Sequence, residues 1–166
     1  MSKFSSYFND EFVSLEQGSK SIDEILQDRM FLIGGDFYGI QKFIFDNLGS
    51  KNAAKVLRAK SAFCELFMVV LSKFICQKFS IDEKHILSCT AGKFEILSPK
   101  FDEAAFKEIK GVINAYFIKN FFGVSGVSLS CVECERADFT EPKRYKELRD
   151  KISKAVELEK FKKLNL

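Results

Sequence analysis

The chain has 166 residues, of which 46% are hydrophobic and 30% are charged, so it can form an apolar core and is not disordered. Its net charge of +3 is uneven: residues 141–166 carry nine Lys and Arg against five Asp and Glu, whereas residues 1–140 carry 17 against 18. These values argue against a protein that binds nucleic acid over its whole surface, although the C-terminal segment is basic.

The sequence shows no sign of membrane association or export. No apolar run is long enough to cross a bilayer, and charged residues interrupt the N-terminus too early for a signal peptide. We therefore expect a cytoplasmic protein that does not bind membranes, and we interpret its five cysteines as small buried apolar residues. The single histidine, His85, is interpreted as an ordinary strand-edge side chain.

The first half of the chain is predicted to contain one strand and two main helices. Residues 1–29 are expected to form an irregular lead-in with a short helix near 21–27. The apolar run 30–33 indicates a strand buried on both faces, which ends in the glycine-rich turn Gly34-Gly35-Asp36. A short helix is expected over 40–45, and apolar residues at helical spacing predict a long helix over about 53–79.

The second half is predicted to add a hairpin, a helix, a strand and a basic helix. Strands are expected over 85–89 and 94–97, joined by a turn in which Gly92 takes a positive φ. An amphipathic helix over about 101–117, ended by Gly123, precedes a half-buried strand over 127–131. The last helix is expected to begin near Pro142, which is tolerated in the first turn.

The resulting order, β-α-β-β-α-β followed by a helix, predicts an α+β fold of the ferredoxin-like class. The expected boundaries are a lead-in over 1–29, a ferredoxin-like domain over 30–139 and a basic C-terminal helix over 140–166. In this fold both internal helices cover one face of an antiparallel sheet, so we expect the other face to be open to water or to a partner. Function must be argued from a site, because many unrelated proteins share the fold.

The sharpest local feature is the segment 33–44, which reads Ile-Gly-Gly-Asp-Phe-Tyr-Gly-Ile-Gln-Lys-Phe-Ile. Asp36 is expected at the end of the first strand, where its carboxylate could bind Mg²⁺. The free N–H groups from Gly39 onward, at the start of the next helix, would attract a phosphate. The alternative is a glycine-rich turn with a solvated aspartate, because short glycine motifs occur in many unrelated proteins.

Three blocks of sequence carry a resemblance to a known family. They are Gly35–Ile44, then Leu57-Arg58-Ala59-Lys60-Ser61, and then Ala91-Gly92-Lys93-Phe94. Over residues 30 to 160 the chain resembles the first palm domain of the large subunit of type III-A CRISPR–Cas effector complexes. The resemblance implies a ferredoxin-like palm related to nucleotide cyclases and polymerases, in agreement with the predicted order of elements.

The resemblance also implies a function in antiviral defence. In such subunits two palms hold ATP between them and make cyclic oligoadenylate when target RNA is bound, and a nuclease domain lies in the same chain. This sequence matches only the first palm and has no Gly-Gly-Asp-Asp turn, so it is expected to be a fragment or a truncated product. The implied partners are the second palm, other CRISPR effector subunits and, through the complex, crRNA and target RNA.

The predicted hairpin turn argues against catalysis by this palm alone. Two-metal phosphoryl transfer needs carboxylates from both the first strand and the hairpin. The turn offers Ala91, Gly92 and Lys93, with no acid. Lys93 would repel a second metal ion and could instead pair with Asp36 or with a triphosphate.

The resemblance places the start of the long helix on the side of the palm that faces ATP. It assigns Arg58 to the phosphates and Ser61 to the base; an exposed arginine and an ordinary helix serine are the alternative. The predicted function is a non-catalytic palm that binds ATP. Asp36 is the residue that would hold Mg²⁺, and the domain is expected to self-associate weakly. The alternative is a scaffold module within the ribonucleoprotein that does not bind nucleotide.

Two further patterns are interpreted as structural. Cys131 and Cys134 have the spacing of half a zinc site, but on a strand their side chains would point to opposite faces, and the sequence has no second pair. The basic helix carries an apolar stripe that includes Leu148, Ile152 and Val156. This stripe must cover either the domain itself or a missing neighbour.

Overall fold

The computed structural model describes residues 25–45 and 52–162. Its strands are β1 (Met30–Tyr38), β2 (Ile86–Thr90), β3 (Lys93–Ser98) and β4 (Gly126–Cys134). Its helices are α1 (Ile40–Phe45), α2 (Ala53–Phe79), α3 (Glu103–Phe121), α4 (Ala137–Thr140) and α5 (Pro142–Lys162), with a 3₁₀ turn over Glu83–His85. Most of the predicted lead-in, 1–24, and the last residues of the predicted basic helix, 163–166, lie outside the described residues.

The four strands form one antiparallel sheet in the order β2-β3-β1-β4. This arrangement, with α2 and α3 as the two connecting helices, confirms the predicted ferredoxin-like fold. The hairpin between β2 and β3 turns at Ala91 and Gly92, which have φ angles of 52° and 75°. Two successive positive φ angles are typical of the tight hairpin turn that the sequence predicts here.

The helices α2 and α3 cover one face of the sheet. Ile33 and Phe37 of β1 point into this layer, where Phe37 meets the ring of Phe117 edge-on with 5.4 Å between centroids. The helices contribute a set of buried apolar residues: Cys64, Met68, Leu71, Ile75, Phe106, Ile109, Ile113 and Phe117. This core fixes the position of the central strand, β1.

The helix α5 packs on the other face, so the prediction that this face is open is wrong. Leu148, Ile152 and Val156 are 4%, 4% and 7% exposed and pack on sheet residues that include Leu32. Gly34 gives the helix room, because a Cβ at this position would lie 2.9 Å from Ile152 Cγ1. The apolar stripe of α5 therefore covers the sheet of its own chain, and the predicted boundary between 139 and 140 stays a prediction.

The strand β1 continues through Gly34, Gly35 and Asp36, so the predicted glycine-rich turn at this place is wrong. Pairing on both sides keeps the strand extended: Asp36 lies opposite Lys93 in β3 and opposite Ser128 in β4. The two glycines serve close packing instead, since a Cβ at Gly35 would overlap a buried aromatic ring on the face covered by α2 and α3. The chain turns only at the residue before α1.

Cys131 and Cys134 lie in β4 and pack in the cores on opposite faces of the sheet, as the alternation of a strand requires. Both thiols are free, and burial raises the pKa of each to about 12. Within the described residues no helix is long and apolar enough to cross a membrane.

Candidate functional site

A cavity of about 160 Å³ lies between the middle of β1 and α5. We call it the α5 cavity; its charged and polar lining consists of Asp36, Lys93, Glu95, Arg149, Ser153, Glu157 and Lys160. Gly34 and Gly35 form part of its wall; the missing Cβ of Gly34 lets α5 approach the sheet, whereas a Cβ at Gly35 would point to the opposite face. Two residues predicted from the sequence, Asp36 and Lys93, therefore meet in one cavity.

Asp36 forms an ion pair with α5. Lys160 Nζ donates to Asp36 Oδ2 at 2.6 Å, and the side chains of Lys160 and Asp36 are 32% and 17% exposed. Lys93 lies opposite Asp36 in the strand register but is exposed and makes no ion pair within the part of the chain that the structure describes. The pairing of Asp36 with Lys93 that the sequence suggested is therefore replaced by a pairing with Lys160.

The charges that line the α5 cavity are balanced. Glu95 of β3 pairs with Arg149 of α5, and Asp36 of β1 pairs with Lys160, which lies further along the same face of α5. Among the described residues the lining contains three acidic and three basic side chains, and two of each are joined in these pairs. An anionic ligand would therefore meet Lys93 as an available cation and would compete with carboxylates for the other two.

A buried hydroxyl group lies beside Asp36 on the sheet. Ser128 of β4 is the register partner of Asp36 and is 0% exposed, and residues opposite one another in antiparallel strands point to the same face. The Ser128 Oγ has no hydrogen-bond partner among the described residues. Leaving such a group unsatisfied costs about 1–3 kcal/mol, so a water molecule at this place would be stabilised, although Ser128 does not line the α5 cavity.

The residues around Asp36 do not form a complete site for a divalent metal ion. Within the described ranges, no three His, Cys, Asp or Glu side chains are placed so that they could hold one. Mg²⁺ requires several oxygen ligands, whereas Asp36 supplies one carboxylate that is neutralised by Lys160. The described residues alone therefore do not fit Mg²⁺, and the role of Asp36 as a metal ligand stays a prediction.

Three of the predicted binding residues lie outside the α5 cavity. Arg58 and Ser61 are exposed on α2, where Arg58 Nε donates to the carbonyl oxygen of Ala54 at 3.2 Å. Gly39 turns the chain from β1 into α1 with a φ of 71°, and a Cβ there would lie 2.6 Å from the carbonyl oxygen of Val124. The structure thus gives Gly39 a conformational reason to be glycine, independent of any ligand.

The hairpin turn links the α5 cavity to α2. A second cavity of about 210 Å³ is lined by residues 89–92 of the hairpin and by Glu65, Met68 and Val69 of α2. Ser61 lies one helical turn before Glu65, on the same side of the helix. Lys93 directly follows this turn. Arg58 and Ser61 of α2 therefore lie on the same side of the domain as the hairpin.

Sequence reasoning missed Lys160 and Arg149 as residues of the site. Arg149, Ser153, Val156 and Lys160 are spaced by four, three and four residues, which places them along one face of α5. That spacing is visible in the sequence and was the available signal. The partner of Lys160 was not visible, because it lies 124 residues away in the chain.

Comparisons with known proteins connect this domain to one family. Residues 29–166 match the family model described as Csm1 subunit domain B. The crystal structure of Csm1 in T. onnurineus matches with a TM-score of 0.67 and 25% identity, over 82% of this chain and 20% of that one. No curated protein sequence matches the chain.

Two solved Csm1-Csm4 cassettes match the fold more closely. The cassette in complex with one ATP has a TM-score of 0.72 and 23% identity, over 83% of this chain and 20% of that chain. The cassette in complex with cA4 has a TM-score of 0.72 and 23% identity, over 81% and 19%. The chain thus spans about a fifth of the length of the solved Csm1 chains that it matches.

Proposed function

We infer the function from one premise: this chain belongs to the Csm1 subunit domain B family. We propose that it is a non-catalytic, ATP-binding palm that supplies one half of a paired-palm site for cyclic oligoadenylate synthesis in antiviral defence. Similar cassettes were solved with one ATP, with AMPPNP and with cA4, which supports a nucleotide as the ligand class. The second palm and other effector subunits are its proposed partners, and RNA is proposed to act on it through the complex.

The observation that carries the proposal is the meeting of Asp36 and Lys93 in the α5 cavity. They come from separate blocks of sequence, and the register of β1 and β3 places them opposite one another. Lys93 presents an exposed ammonium group from which a phosphate oxygen can accept a hydrogen bond. This charge favours a polar, anionic ligand over an apolar one.

The same geometry supports a proposed binding role, and not a catalytic one, for this palm. Two-metal phosphoryl transfer needs acids that converge from β1 and from the hairpin. The turn between β2 and β3 consists of Ala91 and Gly92 and is followed by the positive charge of Lys93. Since Asp36 is already neutralised by Lys160, a second palm would have to bring the metal ligands.

Isothermal titration calorimetry with ATP tests this proposal. We expect saturable binding to the unaltered chain and at least about tenfold weaker binding to the Lys93→Ala variant, because one charge-assisted contact to phosphate is lost. Lys107→Ala, which removes an exposed lysine from α3, is the matched control and should bind as the unaltered chain does. Arg58→Ala and Ser61→Ala show whether the ligand extends along the hairpin to α2.

Two results of this titration would contradict the proposal. One is the absence of binding both to the chain alone and to the chain mixed with a second palm. The other is an equal loss of affinity in Lys93→Ala and Lys107→Ala, which would show that binding depends on overall charge and not on the α5 cavity.

A scaffold module without nucleotide binding is the second candidate, and exposed apolar side chains on α2 and α3 favour it. Leu66 and Val70, one turn apart on α2, are each 65% exposed, Val112 on α3 is 55% exposed, and Phe122, which follows α3, is 90% exposed. Exposed apolar patches commonly bind other proteins. Because the similar structures are Csm1-Csm4 cassettes, this candidate proposes another effector subunit as the partner, with weak self-association when that subunit is missing.

Pull-down of effector subunits with a Leu66→Lys, Val70→Lys double variant separates the two candidates. Loss of subunit binding with unchanged ATP binding would assign a scaffold role to the α2 surface without weakening the nucleotide proposal. Loss of subunit binding in a chain that never binds ATP would favour the scaffold role alone.

A further inference from the structure

The helix α5 is held to the domain by two kinds of contact along its length. Its middle is anchored by apolar burial, through Leu148, Ile152 and Val156. Beyond Val156 the helix has no buried residue, and the apolar side chains of Leu158 and Phe161 are 62% and 65% exposed. The hydrophobic contribution to docking therefore ends at Val156, although the helix continues to residue 162.

Residues 157–162 are attached to the rest of the domain by ion pairs. Lys160 binds Asp36 of β1 at 2.6 Å, and Glu159 pairs with Lys110 of α3. Burial raises the pKa of Glu159, but hydrogen bonds from Lys110 and Lys162 outweigh it and hold the pKa below its ordinary value. The last part of α5 is thus held by charge, whereas the part before it is held by apolar packing.

The α5 cavity cannot enclose a whole nucleotide while residues 157–162 stay in place. Its volume is about 160 Å³, whereas pockets that hold small organic ligands measure roughly 300–1,000 Å³. Glu157 and Lys160 form part of its wall. A phosphate-sized group fits such a space, but enclosing a whole nucleoside triphosphate requires this wall to move.

We propose that residues 157–162 form an electrostatic lid over Asp36, which opens without undocking the rest of α5. Breaking the pairs of Lys160 and Glu159 releases the lid, while Ile152 and Val156 keep the preceding turns on the sheet. The proposed ligand is a polyphosphate, a part that rests on the function proposed above: its negative charge competes with Asp36 for Lys160. Local opening of this kind is expected where a segment has few buried apolar contacts.

Hydrogen exchange on the chain without ligand tests the lid directly. Lys160→Met keeps the apolar stem and removes the charge, so amides in 157–162 should exchange roughly three- to tenfold faster while those in 148–156 stay unchanged. Raising the salt concentration from about 0.1 M to about 1 M should accelerate the same amides in the unaltered chain, since the screening length falls from about 10 Å to about 3 Å. Lys154→Met, at an exposed lysine of α5 with no ion pair among the described residues, is the matched control and should exchange normally.

Two outcomes would overturn the lid: unchanged exchange of 157–162 in Lys160→Met, or equal acceleration along the whole of α5. Calorimetry with ATP on the unaltered chain keeps this inference separate from the proposed function. Normal ATP binding together with unchanged exchange refutes the lid and leaves the nucleotide proposal intact. Faster exchange confined to 157–162 in Lys160→Met supports the lid. If the unaltered chain nevertheless fails to bind ATP, only the nucleotide proposal is refuted.

Discussion

Replacing Ile152 with alanine should weaken the docking of α5 on the sheet. Ile152 is 4% exposed and lies above Gly34, where a Cβ would come within 2.9 Å of its Cγ1. The substitution removes about three buried methyl or methylene groups, which at about 0.8 kcal/mol each gives a transfer cost of about 2.4 kcal/mol. The cavity left beneath the helix raises the expected loss to about 3–4 kcal/mol. That is a large fraction of the roughly 5–15 kcal/mol that stabilises a typical domain.

Urea unfolding followed by circular dichroism measures this loss. The matched control is Leu158→Ala, because Leu158 lies on the same helix and is 62% exposed, so its removal should cost less than about 0.5 kcal/mol. Small and equal losses for Ile152→Ala and Leu158→Ala would refute the reasoning. They would show that α5 does not cover this face of the sheet, and the α5 cavity would then have no second wall.

Three further predictions concern catalysis, metal binding and the glycines of β1. The chain alone should form no cyclic or linear oligoadenylate from ATP with Mg²⁺ or Mn²⁺ when the products are separated by chromatography; turnover that disappears in Asp36→Ala would contradict this. Treatment with EDTA should leave the melting temperature unchanged, because Cys131 and Cys134 point to opposite faces of β4, whereas stoichiometric zinc and a lower melting temperature would show that they bind metal. Gly35→Ala should lower the melting temperature more than Gly34→Ala, because a Cβ at Gly35 would overlap a buried aromatic ring. An equal change in both variants would show that this part of the core can shift to accommodate the added methyl group.

Among the described residues, hydrophobic periodicity was sufficient to predict the order of the strands and of the helices α1, α2, α3 and α5, but not the short α4 or the 3₁₀ turn over Glu83–His85. The long helix is predicted and observed over the same residues, 53–79, because its buried positions recur at helical spacing over many turns. The end of β1 could not be predicted in the same way. Gly34 and Gly35 have the composition of a turn, and only hydrogen bonding to both β3 and β4 keeps this segment extended.

The candidate site was predictable only where local sequence determines it. Asp36 and Lys93 could be found because each adjoins a recognisable element, a buried strand and a hairpin turn. Lys160 could not be identified as the partner of Asp36, because that ion pair depends on how α5 crosses the sheet. Arg58 and Ser61 were assigned through a family resemblance, and the structure leaves them exposed on α2, outside the α5 cavity.

An NMR titration of the ¹⁵N-labelled chain with ATP tests the central claim most directly, since it locates a ligand residue by residue. We expect saturable amide shifts that cluster at residues 34–36, 93–95 and 157–160, because these segments line the α5 cavity. Shifts confined to the exposed surface of α2 and α3, or no shifts at millimolar ATP, would contradict the claim that this palm binds a nucleotide beside Asp36 and Lys93.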